Sequence, residues 1–354
     1  MTSLFKISGT PSEELKTILR NNVIGTPGKG MLYHHTTSDE KLQLISQPFF
    51  VNLVRSRKIL GTCTFCVRTT ANKGTQHPGV YLRYFHFDNR LRRSSSRTVT
   101  KVGLLRKEID TLLCGERLGL PERHFHYAYY DPRNERSVLF CKQYRFEEVR
   151  SFTTILFTRL SLKANSTSSQ VQELPGEEAV KMKELLSGYY ESYTMFSFEN
   201  LFRIGKYYVI KDGQGAIIAG VQANPDRWKL LSLKPPFGKL KLDVASRISV
   251  LRNVVTRDLS FLAIDGVYCK DGHERELQRL LESLLHLYNR HVAILFVDEQ
   301  STLKQVFDKI DLGIVGKLNS GNKAKVICRF QEFSDEEKKV FYTQPAYISS
   351  IDIT

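Results

Sequence analysis

Hydrophobic and polar positions along this chain predict one series of structural elements that occurs twice. In each half a short strand precedes a helix with acidic residues near its start, and a β-hairpin, a strand–turn–helix unit and a further strand and helix follow. The first strand and helix of the series span Leu4–Leu19 and again Val171–Leu186. Such a repeat has to be recognised before any single motif is interpreted, because each feature of one half has a counterpart in the other.

The two halves align at a spacing that changes along the chain. The late strand that begins at His124 corresponds to the strand at His291, an offset of 167. The strand that begins at Tyr81 corresponds to Phe261, an offset of 180, which indicates that the second half carries extra residues. A pair of unrelated α/β domains is the alternative interpretation.

The repeat also predicts the domain boundaries. The first domain spans 1–163 and ends with a strand pair or one long strand over 149–162, and a small, polar linker follows at 164–170. The second domain spans 171–332, and 333–354 is predicted as a short helix and a docking tail. The predicted fold class is α/β with a mixed, mostly antiparallel sheet (α+β) in each domain and helices on both faces.

Several elements of the first half are predicted from local patterns alone. Residues 25–40 are interpreted as a loop, and 49–54 with 58–67 as a hairpin. A strand over 80–87 follows, and a helix over 103–118 is predicted from its apolar face.

The chain has 354 residues and a net charge of +15. This length suits two domains. The excess of positive charge favours a polyanionic partner, either a nucleic acid or a phosphate-rich cofactor such as coenzyme A, although solubility alone also accounts for it.

Apolar runs are short throughout the chain. None approaches the roughly 20 residues that a membrane-spanning helix needs, and the first residues lack the apolar stretch of a secretory signal. A cytoplasmic protein without membrane contact is therefore expected.

Two of the six cysteines, Cys63 and Cys66, have the spacing of a zinc or redox pair. Both fall within a predicted strand, where alternation points them to opposite faces. We therefore expect buried, unpaired thiols and no metal site.

A basic segment and a glycine come before the predicted helix of the first half. Residues 90–97 contain four arginines and no acid, and Gly103 follows. In the second half Gly272 lies in a similar turn, but Glu274 follows it. A glycine next to a helix N-terminus lets the backbone approach a phosphate closely. The alternatives are a solvated loop or an RNA contact for 90–97, and a simple turn for Gly272.

A second motif follows the fifth strand of the first half. It contains Asn134, Ser137, Cys141, Arg145 and Phe146. Together with the order of elements, these motifs resemble the GNAT superfamily of acyl-CoA-dependent acyltransferases, present as a tandem pair over nearly the whole chain. Asn134, Ser137 and Phe146 match the motif of that family, whereas Cys141 stands where the family has a tyrosine and Arg145 where it has a glycine.

The resemblance implies two GNAT-like domains, in each of which two central strands diverge and the acyl-pantetheine arm lies in the gap. The turn after the fourth strand would bind the pyrophosphate. The cofactor-binding residues implied are Phe87, Arg97, Lys101, Val102, Gly103, Leu104, Asn134 and Gly272. The catalytic candidates are His86, Asp88 and Tyr144, with Asp265 and Asp298 as possible bases in the second half.

The function implied is transfer of an acyl group, most simply acetyl, from acetyl-CoA or another acyl-CoA to an amine by direct attack. Positioning alone supplies on the order of 7–11 kcal/mol in favourable cases, so such an enzyme can work without the usual tyrosine. The acceptor would be a small molecule or a peptide. Two alternatives are a Fem-like transferase that uses aminoacyl-tRNA, and a GNAT-fold binding protein without catalysis.

Overall fold

The computed structural model describes residues 3–72, 74–87, 99–162, 170–233, 244, 254, 256–318 and 323–353. Their strands are β1 Phe5–Ser8, β2 Leu32–His35, β3 Pro48–Arg55, β4 Lys58–Asn72, β5 Thr75–Phe87, β6 His124–Tyr130, β7 Glu147–Thr158, β8 Val171–Glu173, β9 Lys206–Lys211, β10 Ile217–Ser232, β11 Asp258–Cys269, β12 Val292–Asp298 and β13 Lys323–Gln331.

The helices in the same residues are α1 Glu13–Arg20, α2 Ser38–Leu44, α3 Val99–Leu113, α4 Glu135–Gln143, α5 Ala179–Tyr189, α6 Glu274–Leu287, α7 Thr302–Asp308, α8 Gly313–Leu318, α9 Asp335–Thr343 and α10 Ser350–Ile353. Short 3-10 turns lie at Glu116–Leu118 and Gly176–Glu178. None of the helices in the described ranges is long and apolar enough to cross a membrane.

One sheet runs through both halves. Its strand order is β1-β3-β4-β5-β6-β13-β7-β12-β11-β10-β9-β8, and β2 pairs with β10. Neighbouring strands are antiparallel except for the pairs β5–β6 and β11–β12, which are parallel. The prediction of a mixed, mostly antiparallel sheet with helices on both faces is confirmed.

The two halves exchange their last strands within this sheet. β7, from the first half, pairs with β12 of the second half. β13, from the second half, lies between β6 and β7 and pairs with both. The predicted boundaries near 163 and 171 stay a prediction, but the sheet does not break at them.

The prediction of a loop over 25–40 is wrong in part. β2 and α2 lie in this segment, because β2 pairs with the far end of β10 and partly buried Lys41 of α2 forms an ion pair with buried Asp226 of β10. The helix predicted over 103–118 begins earlier, at Val99, and ends at Leu113. The hairpin prediction is confirmed by β3 and β4.

The two cysteines of β4 lie on opposite faces of the sheet, as predicted. Cys63 packs in the cluster beneath α3 and α4, and Cys66 packs in the central cluster on the other face. Both are buried, unpaired thiols. Burial raises the pKa of Cys66 to about 11, so it stays a thiol at neutral pH.

Two buried threonines on β4 differ in their hydrogen bonding. Thr64 has no hydrogen-bond partner for its hydroxyl among the described residues, whereas the Thr70 hydroxyl donates to the His77 carbonyl at 2.9 Å. We expect Thr64→Val to raise the free energy of unfolding by about 1 kcal/mol, because it removes an unsatisfied buried group, and Thr70→Val to lower it by a similar amount. Urea denaturation of both variants checks this, and a loss of stability in Thr64→Val would contradict it.

A pair of buried histidines lies on β6. His126 Nε2 is 3.2 Å from His124 Nε2 and 2.9 Å from the Leu113 carbonyl. Burial, together with the smaller effect of the neighbouring His124, lowers the pKa of His126 to about 3. Because the folded-state pKa lies below that of the unfolded chain, this histidine contributes stability above about pH 6.5 that is lost as the pH falls towards 3.

The pH dependence of stability should therefore change in His126→Gln. Between pH 6 and pH 5 the wild type should lose about 1.2 kcal/mol more than the variant, whose amide does not titrate. Buried Asp265, whose pKa burial raises to about 6, changes stability in the opposite direction, but it does so in both proteins and cancels in the difference. Urea denaturation at the two pH values measures this, and parallel pH slopes would contradict it.

Candidate functional site

The two parallel strand pairs open into gaps. β5 pairs with β6 only as far as Tyr81 and Tyr127, although both strands continue beyond these residues. β11 pairs with β12 only as far as Ala263 and Ile294. We call the gap beyond Tyr81 and Tyr127 the first wedge, and the gap beyond Ala263 and Ile294 the second wedge.

Each wedge is bordered by a β-bulge. On β5, Tyr84 and Phe85 lie opposite the single residue Cys63 of β4. Tyr84 has a φ of 56°, a left-handed conformation that is uncommon for an aromatic residue and that clusters at functional sites. Its hydroxyl is buried without a hydrogen-bond partner among the described residues.

The second half repeats this bulge. Gly266 and Val267 of β11 lie opposite Val221 of β10, and Gly266 has a φ of 54°. Gly266 therefore corresponds to Tyr84, an offset of 182. The predicted offset of 180 for this strand is wrong by two residues.

The second wedge is closed by the end of the chain. We define residues 344–353 as the C-terminal strap. The backbone N–H of Gly266, at the bulge, donates to the Tyr347 hydroxyl at 3.2 Å. The strap fills most of the gap, and the cavity that remains beside Tyr190 and Tyr193 has a volume of only about 20 Å³.

Two aspartates anchor the strap, and both had been candidate bases. Asp265 accepts hydrogen bonds from the backbone N–H groups of Ser350 and Ile351 at 2.8 and 3.2 Å. Asp298 accepts one from Ala346 at 3.0 Å, and its buried carboxylate is also paired with Arg150. These contacts give the two second-half aspartates a structural role, which is to hold the strap.

The strap continues to the point where the first wedge begins to open. Arg68 makes two hydrogen bonds to the Asp352 carboxylate, at 2.5 and 2.7 Å. The Tyr81 hydroxyl donates to the Asp352 carbonyl at 3.1 Å, and Arg83 donates to the Ile351 carbonyl at 2.8 Å. Burial alone would raise the pKa of Asp352, but Arg68 reverses the effect and lowers the pKa. Sequence reasoning missed this cluster.

Apolar side chains line the open part of the first wedge. The Phe85 ring, which is 47% exposed, contacts Phe140 of α4 at 4.7 Å and Phe87 at 5.0 Å between ring centroids. Ala128 is the first residue of β6 beyond the last pair. The equivalent position in the second wedge, at the offset of 167, is the larger Leu295. The first wedge is therefore the less filled of the two at this position.

The catalytic candidates of the first half are only partly brought together. His86 lies two residues beyond Tyr84, and its Nδ1 is 3.0 Å from the Asn22 amide oxygen. Asp88 lies outside the described residues. Tyr144 caps the end of α4, and its carbonyl accepts from Arg329, which is paired with His126. His126 precedes the last paired residue of β6, so Tyr144 lies beside the closed part of the sheet.

The predicted phosphate-binding turn has to be corrected in the first half. Gly103 is the fifth residue of α3, not part of a turn, and Lys101 and Val102 lie in the same helix. Leu104 is 43% exposed on its surface. The turn that leads into α3 falls, with Arg97, outside the described residues.

The two remaining cofactor candidates have structural tasks. The Asn134 side chain accepts from the Ser137 N–H at 3.4 Å and caps α4. Gly272 has a φ of 81° in the turn before α6, a conformation that favours glycine. Its turn belongs to the closed wedge, which supports the simple-turn interpretation.

The exposed surface of α3 and α4 carries several cations. A cavity of about 360 Å³ runs along α3, lined by Gly103, the cations Arg106 and Lys107 and the acids Asp110 and Glu116 among others. Arg136 and Lys142 are exposed on α4. None of these four cations has an ion-pair partner in the part of the chain that the structure describes. Within that same part there is no group of three or more residues able to hold a metal ion.

Comparison with known proteins shows the fold. No protein-family model matches this sequence, and no curated protein matches it significantly. A structure of Saccharomyces cerevisiae N-myristoyltransferase with bound myristoyl-CoA is similar, with a TM-score of 0.59 and 13% identity over 93% of this chain and 83% of that one.

A second structure of that yeast enzyme has a TM-score of 0.59 and 12% identity over 100% of this chain and 84% of the other. A GCN5-related N-acetyltransferase from Anabaena variabilis is a more distant match, with a TM-score of 0.46 and 11% identity over 93% of this chain and 73% of that one. The likeness to the yeast enzyme confirms the two-domain GNAT fold that the sequence predicted.

Proposed function

We propose that this chain is an acyl-CoA-dependent N-acyltransferase with one active site, in the first wedge. The observation that carries the proposal is the contrast between two equivalent wedges, one closed by the C-terminal strap and the other lined by Phe85 and Ala128. The fold is that of a yeast enzyme whose structure holds myristoyl-CoA. The acyl group is a separate question, for which acetyl remains our simplest proposal.

In this proposal the thioester lies against the bulge of β5. The backbone at Tyr84 and Phe85 would hold the carbonyl oxygen, because a bulge turns backbone groups away from the neighbouring strand. The nucleotide would lie towards the N-terminal end of α3, where helix N–H groups and basic side chains suit phosphates. Arg97 and Lys101 stay candidates there, and Arg106 and Lys107 extend the same basic surface.

Acyl transfer also requires a group that takes the proton from the attacking amine. We propose His86 for this task, because it follows the bulge and is oriented by Asn22. The amine attacks the thioester carbonyl, the bond to sulfur breaks, and the released thiolate of CoA takes up a proton. Asp88 remains a second candidate base, and Tyr144 a weaker candidate acid.

Calorimetric titration tests the cofactor assignment. Acetyl-CoA, myristoyl-CoA and free CoA are titrated separately into the full chain. Binding of one equivalent of at least one acyl-CoA supports the proposal, and no binding at millimolar ligand contradicts it. Release of CoA in a screen of amine acceptors then separates an enzyme from a binding protein of the same fold.

His86→Gln should separate catalysis from binding. We expect kcat to fall about 100-fold, within the range of a lost general base, while the Kd for acyl-CoA stays unchanged. Asn22→Ala should cause a smaller loss, because it removes only the group that orients the ring. Steady-state kinetics with calorimetry measures both, and an unchanged kcat in His86→Gln would exclude this residue as the base.

A second candidate function is transfer from aminoacyl-tRNA. It is favoured by Arg106, Lys107, Arg136 and Lys142, cations on one surface without an ion-pair partner among the described residues, because several such contacts make polyanion binding strong and salt-dependent. Filter binding of tRNA between 50 and 200 mM salt, roughly the range over which such contacts weaken, tests it. Weak binding with a flat salt response would eliminate it.

A further inference from the structure

The two wedges share one architecture but differ in what fills them. Tyr84 and Phe85 in the first correspond to Gly266 and Val267 in the second, by the same bulge at the same distance from the last paired residues. In the second wedge the backbone N–H of Gly266 donates to the Tyr347 hydroxyl. A phenol oxygen therefore occupies the position that, under the proposed function, a thioester oxygen takes in the first wedge.

We infer that the second wedge is itself a thioester-binding gap that the chain closes with its own Tyr347. This inference rests on the proposed function of the first wedge, from which the chemistry of the ligand is taken. Tyr347 acts as an internal ligand, so the protein holds one acyl-thioester instead of two.

The contacts of Tyr347 resemble those of a bound ligand. Its hydroxyl accepts from Gly266 and donates to the Asp265 carboxylate at 3.4 Å. Its ring packs edge-on against Tyr190 and Phe196, with ring centroids 5.0 and 5.1 Å apart. The side chain is thus held by a polar end at the bulge and an aromatic wall around the ring.

The strap is held on both sides of Tyr347 by contacts that do not involve the Tyr347 side chain. Asp298 binds the Ala346 N–H, and Asp265 binds the Ser350 N–H. The backbone of Thr194 also bonds to Pro345 and accepts from Tyr347. Removing the ring alone should therefore vacate the bulge while the strap stays in place.

The ligand for this gap should lack a nucleotide. Asp271 lies beside Gly272 in the turn before α6, and Glu274 is the first residue of that helix; carboxylates at this position disfavour a pyrophosphate. The suitable probe is S-acetyl-N-acetylcysteamine, which carries the thioester and the adjoining amide of acetyl-pantetheine but no phosphate.

The test compares Tyr347→Gly and Tyr347→Leu with the control Tyr347→Phe. Glycine vacates the whole side-chain space, leucine keeps an apolar side chain but leaves the bulge N–H free, and phenylalanine keeps the ring in place. We expect Tyr347→Gly to lose thermal stability and to regain it with millimolar phenol. Both the glycine and the leucine variants should bind one more equivalent of the thioester probe than wild type, and the phenylalanine variant should not.

The number of added equivalents distinguishes this inference from the proposed function. If the wild type binds one acyl-CoA and neither Tyr347→Gly nor Tyr347→Leu binds an added equivalent of the thioester probe, only the inference is overturned. If the wild type binds no acyl-CoA and these two variants each gain one equivalent of the probe, only the proposed function is overturned. If Tyr347→Gly does not fold, Tyr347→Leu still decides the question, and phenol rescue without probe binding counts against a thioester site.

Discussion

Replacing Arg68 with methionine should lower the free energy of unfolding by about 3 kcal/mol. The change leaves the Asp352 carboxylate, 1% exposed, without the guanidinium that binds both of its oxygens. Removing one partner of a buried ion pair costs about 3–5 kcal/mol, because the remaining charge is uncompensated. Arg83 lies 3.9 Å from the same carboxylate and offers partial compensation, so we expect the lower end of this range.

Two further variants make this result specific. Arg68→Met with Asp352→Leu should recover most of the loss, since replacing both partners of a buried pair by apolar groups is often close to neutral. Lys304→Met, which breaks an exposed pair with Asp308, should leave stability nearly unchanged. Urea denaturation of the three proteins measures the effects. A loss in the double variant as large as in Arg68→Met would show that the ion pair is not the cause.

Local patterns were sufficient wherever an element and its partner are close in the chain. The hairpin of β3 and β4 was predicted because alternation and a short turn define it locally. β2 was missed because its partner is distant, and the Thr36 hydroxyl next to it bonds to Arg227, 191 residues away. The exchange of β7 and β13 between the halves was missed for the same reason.

The resemblance implied both wedges, but the repeat alignment placed the β5 strand two residues out of register with β11. An alignment slipped by two positions keeps every side chain on the same face, so alternation alone cannot detect it. The bulges correct the register, because Tyr84 and Gly266 share a left-handed backbone. Gly266 gives a signal of that conformation in the sequence, whereas Tyr84 gives none.

The candidate site was predicted only in part, for a related reason. His86 was identified because it lies near the end of a strand that the resemblance placed beside the gap. Asp352 and Tyr347 were not, because the tail carries no motif and gains its meaning only from the strands on which it lies. Asp265 and Asp298 were singled out as strand-end acids, but burial and the strap give them a different task.

Replacing Ala128 with leucine should abolish acyl-CoA binding. The change gives the first wedge the residue that the second wedge has at the equivalent position, Leu295, at the point where β6 leaves β5. A side chain there would occupy the space that we assign to the pantetheine arm. We expect the Kd to rise about 1000-fold, a loss of roughly 4 kcal/mol of binding free energy, as measured by calorimetry.

Stability decides whether this loss has the cause that we propose. A leucine that enters an open gap should change the free energy of unfolding little, whereas a leucine forced into a packed core costs about 1–3 kcal/mol. The matched variant Leu295→Ala, in the closed wedge, should lose about 2–5 kcal/mol of stability and keep its affinity for acyl-CoA. If Ala128→Leu kept that affinity while Leu295→Ala lost it, the active site would belong to the second half.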